Sequence, residues 1–279
     1  MNRLEAFGYI ASQASKGILV FPSSVNAALK LQLALANPDC HLEQAIKLVM
    51  AEPLLAARIV GLANSAGFNS GASAAVTTVR AAVMRVGFQN LYTLAAATVV
   101  RQFGSRIIDP VLRAKAEQLW QHTAHVAALA HVLARRVTGV NPETAMFAAI
   151  VHEVGGFFLL SRAEEFPGLL DDDPENWIEA GEELINREVL KKLAIPEALS
   201  SAIEALRDGL LTIPPATLLD TLLLANQFSP VASPLDRHPS LPLDQSESVL
   251  DLFVDSDMLS SILAESEEEV RSLSAALLV

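Results

Sequence analysis

The run Ala51-Glu52-Pro53-Leu54-Leu55-Ala56-Ala57-Arg58-Ile59-Val60-Gly61-Leu62-Ala63-Asn64-Ser65-Ala66 decides the fold class, because its larger apolar residues recur at helical spacing. Leu55, Ile59, Leu62 and Ala66 stand at i, i+4, i+7 and i+11, which places them in one stripe along a helix. The same spacing returns further along the chain, where Leu119, His122, Val126, Leu129 and Leu133 run in steps of three and four. Asp109-Pro110, Asn141-Pro142-Glu143 and Asp173-Pro174-Glu175 each set a capping side chain before a proline suited to the first helical position, so each marks a helix start. No segment alternates apolar and polar residues between hairpin signals, and the β-branched run Thr98-Val99-Val100 lies inside a helical pattern. The sequence predicts an all-α protein.

Composition narrows the function classes. The 279 residues suit one large or two small domains and can bury a core without disulfides or metal staples. Lys and Arg number 20 against 32 Asp and Glu, a net charge of −12, which repels a phosphate backbone and an anionic membrane surface. The closest basic pairs, Arg135-Arg136 and Lys191-Lys192, are isolated, so neither nucleic acid nor membrane is expected as a partner. A single cysteine, Cys40, excludes an intramolecular disulfide and a Cys-rich zinc site, and fits a reducing compartment. Its neighbour His41 is adjacent only in sequence, which is weak support for a nucleophile. The apolar stretch from Ala145 to Leu160 is interrupted by His152-Glu153 and falls short of the roughly 20 residues of a membrane span. The start of the chain carries no basic segment followed by an apolar one, so a cytoplasmic location is expected.

Turn residues cluster at Asn69 to Ser73, Gly104 to Arg106, Thr138 to Val140 and Asp171 to Pro174, which are read as loops. Ser229 to Ser246 holds Pro230, Pro234, Pro239 and Pro242 and reads as an irregular connection. An acidic helical tail is expected from about Ser248, with Glu265, Glu267, Glu268 and Glu269 as a solvated helix start.

Two stretches carry a resemblance to a known family. The first is the Ala51–Ala66 run followed by Val76-Thr77-Thr78-Val79-Arg80-Ala81-Ala82-Val83-Met84-Arg85-Val86-Gly87, with Phe21-Pro22-Ser23 upstream. It resembles the hallmark of HDOD domains, the HD-related output domains of bacterial signalling proteins. The second comprises Leu119-Trp120-Gln121-His122-Thr123, Ala148-Ala149-Ile150-Val151-His152-Glu153-Val154-Gly155-Gly156 and Leu193-Ala194-Ile195-Pro196-Glu197-Ala198-Leu199. These are similar to the HD-like half of the same family. The resemblance covers about residues 20 to 210. It implies a two-lobed, multi-helix HDOD fold, with an N-terminal lobe over 1–107 that carries the hallmark and an HD-like helical lobe over 108–228. A connection and tail over 229–279 lie beyond them.

HD phosphohydrolases hold divalent metals with imidazole and carboxylate ligands, and the metal activates a water against a phosphoester. By resemblance, His122 and His152 occupy two of the family's histidine positions, while Glu153 stands for the signature Asp and Gly156 for the following Lys. Glu182 stands where many HD-like chains have His, Ala205 and Leu206 where a further His cluster sits, and Asn226 replaces the last metal-binding Asp. An amide oxygen is a weaker ligand for a hard cation than a carboxylate. The resemblance therefore implies a vestigial site of His122, His152, Glu153, Glu182 and Asn226, with no catalytic residue and no metal. If a cation such as Mn, Fe or Zn is held, His122, His152 and Glu153 are the ligands.

The residues themselves also admit plainer roles. His122 lies on the apolar face of its helix and reads as a core histidine with a partner, His125 flanks that face, and His131 points roughly opposite to it. His152-Glu153 reads as a buried hydrogen-bonded pair, and Arg58, Asn64 and Ser65, with Glu52, as bracing or partner-binding groups on the hallmark helix.

The leading expectation is a non-catalytic signal-transduction module acting through other signalling proteins, with homodimerisation compatible. The alternatives are a divergent metal-dependent phosphohydrolase and a nucleotide-sensing module that binds without cleavage.

Overall fold

The computed structural model describes residues 3–16, 25–51, 53–68, 75–104, 107–170, 183–193, 195–235 and 256–278. Every regular element among these is helical, as the spacing predicts. The N-terminal half carries α1 (Arg3–Ser15), α2 (Val25–Leu35), α3 (Leu42–Met50), α4 (Pro53–Asn64) and the long α5 (Val79–Gly104). Then come α6 (Pro110–Leu133), a π-helical turn (Ala134–Thr138), α7 (Pro142–Val151), α8 (Val154–Ala163), α9 (Glu183–Lys192), α10 (Glu197–Glu204) and α11 (Leu218–Gln227). The chain closes with α12 (Ser256–Glu265) and α13 (Glu267–Leu278).

Two of the three expected caps fall where the sequence puts them, and the third, Asp173-Pro174-Glu175, lies outside the described residues. The Asp109 carboxylate accepts from the backbone N–H groups of Val111 and Leu112, and the Asn141 side chain accepts from Thr144, satisfying donors that a helix start leaves open. Three of the four residues of the expected stripe, Leu55, Ile59 and Leu62, are essentially inaccessible, while Ala66 lies beyond the end of α4 at Asn64 and is exposed. Gly87 breaks the regular backbone of α5 with φ 80°, a conformation that costs a side chain-bearing residue energy.

A single continuous apolar core runs through both halves, from Phe7 and Leu31 through Leu94 and Trp120 to Phe157 and Leu224. α6 is its spine, packing on α7, α8, α11 and α13, while α5 reaches α2 and α4 on one side and α7 and α8 on the other. Arg162 of α8 reaches across to Gln13 of α1 at 2.6 Å. The apolar 142–163 segment lies inside this core and is divided between α7 and α8.

The C-terminal helices are not a solvated appendage. α13 packs on α6 and α4; Glu265, Glu267 and Glu268 are exposed as expected, with Glu265 also pairing with Arg136, while Glu269 is largely covered and pairs with Arg135 of the π turn. His131 is buried for the same reason: α13 covers the side of α6 that faces away from His122.

Candidate functional site

The polar pair that interrupts the apolar run is a helix junction. α7 ends at Val151, His152 caps it, and Glu153 stands at the start of α8 with φ −110° and ψ 23°. The turn projects both side chains towards the middle of α6, where His122 lies, and towards Asn226 near the end of α11. Four residues from three separate stretches of chain thus meet inside the second half of the protein.

Each outer atom of the four is tied by the protein, so that an inner atom faces the centre. The Nδ1–H of His122 donates to the Val231 carbonyl at 2.7 Å, and the Nδ1–H of His152 donates to the Ala149 carbonyl at 2.6 Å. A carbonyl can only accept, which fixes the ring orientation and leaves Nε2 inward in both cases. The Asn226 amide donates through Nδ2 to the Leu222 carbonyl at 3.0 Å, turning Oδ1 inward. The Ser233 hydroxyl donates to Glu153 Oε1 at 2.6 Å, leaving Oε2 inward.

The inner atoms lie close together. His122 Nε2 is 3.0 Å from Asn226 Oδ1 and 3.6 Å from Glu153 Oε2, and Glu153 Oε2 is 3.7 Å from His152 Nε2. His122 is 1% exposed and His152 7%, so this is an interior site. Burial pushes the His152 imidazole below its usual range, against the opposing pull of the Glu153 charge.

The donor set suits a divalent cation. Nε2 of His152 and Oε2 of Glu153 are buried without a hydrogen-bond partner of good geometry, while His122 Nε2 lies within hydrogen-bond distance of the Asn226 oxygen. Two imidazole nitrogens, a carboxylate oxygen and an amide oxygen turned towards one point would be reconciled by a positive charge among them, and the outer hydrogen bonds are of the kind that orient metal ligands.

A segment outside the resemblance roofs this centre. Residues 229–235 bring the Val231 carbonyl to His122 and the Ser233 hydroxyl to Glu153, and Leu235 is buried against α8. A Cβ on Gly156 would overlap Leu235 Cδ1, so the roof takes the space a side chain at that position would need. A Cβ on Gly155 would overlap the backbone of Asn186 in α9, whose side chain bridges the junction by accepting from Gly155 N–H at 2.8 Å and donating to the His152 carbonyl at 3.1 Å.

A family model of the HDOD domain matches residues 21–202. The chain belongs to the HDOD domain family. Among solved structures, it is similar to a candidate metal-dependent phosphohydrolase from Shewanella amazonensis, at 20% identity and a TM-score of 0.75, covering 99% of this chain and 100% of that one. An HDOD domain protein of unknown function from Geobacter sulfurreducens matches at 20% identity and a TM-score of 0.61, covering 99% and 97%. A candidate signal transduction protein from Marinobacter aquaeolei matches at 17% identity and a TM-score of 0.59, covering 99% of this chain and 66% of that one. At such identities these likenesses establish the shared HDOD fold. A comparison with curated proteins finds no match.

On the HDOD hallmark helix, the predicted residues brace the fold. Arg58 is buried and donates to Thr98 Oγ1 at 3.3 Å. Asn64 accepts from the Val76 N–H at 2.7 Å and donates to the Val76 carbonyl at 2.8 Å, a two-way clasp between α4 and the start of the next segment. Ser65 is buried and donates to the Leu62 carbonyl. Glu52 and Glu182 lie outside the described residues. The roof of Val231, Ser233 and Leu235 is the part of the centre that sequence reasoning missed. Its polar contacts with the centre use a backbone carbonyl, which every residue has, and a serine, and neither forms a motif.

Proposed function

We propose that this HDOD protein is a regulatory module of signal transduction that works through contacts with other proteins in the cytoplasm and does not turn over phosphoesters. The observation that carries this reading is the roof. A divalent cation in the centre would supply Lewis acidity and an activated water, but hydrolysis also needs an open coordination position reached by substrate. Residues 231–235 hydrogen-bond two of the four site residues and fill the Gly156 space, and the two histidines are buried. The side chains of His122, His152, Glu153 and Asn226 then serve as a buried polar centre that fixes how α6, the α7–α8 junction and α11 meet.

The second reading, a divergent phosphohydrolase, is favoured by the convergence of the four inner atoms. The two are separated by metal analysis of protein purified without a histidine tag, joined to a phosphoester screen with manganese, iron or zinc. The regulatory reading expects no turnover, whether or not a structural cation is present. Stoichiometric metal together with turnover, both lost in His152→Ala, would overturn it.

A further inference from the structure

The last helix of the chain lies in a groove that is cationic at one end and apolar along its length. α13 packs against α6 and α4, with Leu273, Ser274, Ala276 and Leu277 buried. Leu273 covers Gly67, where a Cβ would stand 3.0 Å from its Cδ2. At the cationic end Arg136 meets Glu265 at 3.2 Å and Arg135 pairs with Glu269. Further along, Ser272 Oγ accepts from the Ala66 N–H at 2.9 Å, and Arg101 donates to the Leu278 carbonyl at 2.9 Å.

The fit is incomplete in its polar parts. At the seam, His131 Nδ1, Glu269 Oε1 and Ser266 Oγ are buried without hydrogen-bond partners, although His131 Nδ1 and Glu269 Oε1 are only 3.9 Å apart. Buried polar atoms without partners weaken an interface relative to one that satisfies them. The helix lies beyond residues 21–202, the part that the family model matches, although the solved structures aligned over 99% of this chain span its place too. Its own chain delivers it to the groove, which raises its local concentration and lets it occupy a seat it does not match fully.

We infer that the groove between α4 and α6 is the partner-docking surface of this module, that α13 is its built-in occupant, and that the partner is an amphipathic helix that displaces it. This rests on the reading of the protein as a module acting through protein contacts. The chemistry of the partner follows from the groove. Two guanidinium groups on the π turn after α6 call for two carboxylates, supplied here by Glu265 at the end of α12 and Glu269 in the first turn of α13, and the strip over Gly67 calls for Leu and Ala one to two turns after Glu269.

The test uses the full chain and, as probe, a fluorescent peptide of residues 262–279. In wild type the cis helix competes with the peptide. In Glu265→Arg/Glu269→Arg the competitor is weakened and the groove is intact, so the peptide is expected to bind at least tenfold tighter. Adding Arg135→Glu/Arg136→Glu reverses the groove, re-pairs it with the altered cis helix and should abolish peptide binding. Equal affinity for wild type and the double variant, or binding to neither, would overturn the proposal. Should the double variant fail to fold, hydrogen exchange on wild type decides: α13 amides are expected to exchange at least tenfold faster than those in the middle of α6, and equal protection overturns it. A wild-type dimer formed by exchange of α13, seen by light scattering, would make a second copy the occupant and would also overturn it. Phosphoester turnover by the same sample would refute the regulatory reading separately, since the peptide measurement involves no chemistry.

Discussion

Leu235 fills the space beside Gly156 that a side chain at that position would need, so the roof over the polar centre and the missing side chain at 156 are two sides of one packing solution. Gly155, one residue earlier, meets the backbone of Asn186 instead. Gly156→Ala must move only the end of a flexible leucine and should cost about 1–2 kcal/mol, while Gly155→Ala must push α9 away and should cost more, about 3 kcal/mol or above. Leu235→Ala should relieve the first variant and leave the second unimproved. Thermal melts of the four proteins check this order, and an equal cost at the two glycines would contradict it.

The helical architecture was legible because it rests on local signals. Leu55, Ile59 and Leu62 announce α4, and Asp109 and Asn141 announce two helix starts through a side chain that reaches only its own first turn. The grouping of His122, His152, Glu153 and Asn226 came from family resemblance, and the structure does bring these four together. What stayed illegible depends on contacts distant in sequence. Gly156 reads as a lost Lys until Leu235 is seen beside it, and Glu269 reads as part of a solvated helix start because its partner, Arg135, stands far back in the chain. His131 lies on the face opposite His122, as the spacing predicts, and that face is covered by a helix no local pattern could dock there.

Asp220 is a second buried anion, with a different role. Its carboxylate accepts from the backbone of Thr212, Ala216 and Thr217 and from the hydroxyls of Thr212 and Thr217, tying the 212–217 loop to the start of α11. Burial alone would raise its pKa, but these hydrogen bonds win and hold it at about 2, below the ordinary 3.8. A lowered carboxyl pKa gives stability that is complete above pH 3.8 and is lost as pH falls towards 2, an amount of about 2 kcal/mol. Asp220→Asn should therefore destabilise the protein by about 2–4 kcal/mol at neutral pH and flatten its acid limb between those values. Denaturant melts at neutral and acid pH measure both effects.

A cation in the polar centre would stabilise the folded state without any reaction. If the four inner atoms bind one, manganese or zinc in excess of its dissociation constant raises the melting temperature, since the ligands meet only in the folded chain, and a hundredfold excess is worth about 2.7 kcal/mol. The shift should vanish in His122→Ala and in Glu153→Gln and survive in His125→Ala, whose ring contacts the Gln121 carbonyl on its own helix. Differential scanning calorimetry with and without chelator makes the comparison, and a shift retained in His122→Ala would place the ion elsewhere.

The seat of α13 should respond to acid through His131. Its ring lies beside Phe68, with centroids 5.9 Å apart, and faces Glu269 of α13, Arg135 of the π turn and Glu143 of α7. Burial lowers its pKa below the usual 6.5; the carboxylates of Glu269 and Glu143 oppose that, and Arg135 adds to it. The folded state thus prefers the neutral ring, so the stability it contributes is complete above pH 6.5 and drains away as pH falls through the lowered value. Each unit by which the folded value lies below the unfolded one is worth about 1.4 kcal/mol, and the loss falls first on the helix that covers the ring. Hydrogen exchange should show α13 opening more often at pH 5.5 than at pH 7.5, with α6 little changed once the intrinsic exchange rates are corrected. In His131→Leu, where nothing at this position titrates, the difference should disappear. A pH effect that persists in that variant would assign the sensitivity to another group.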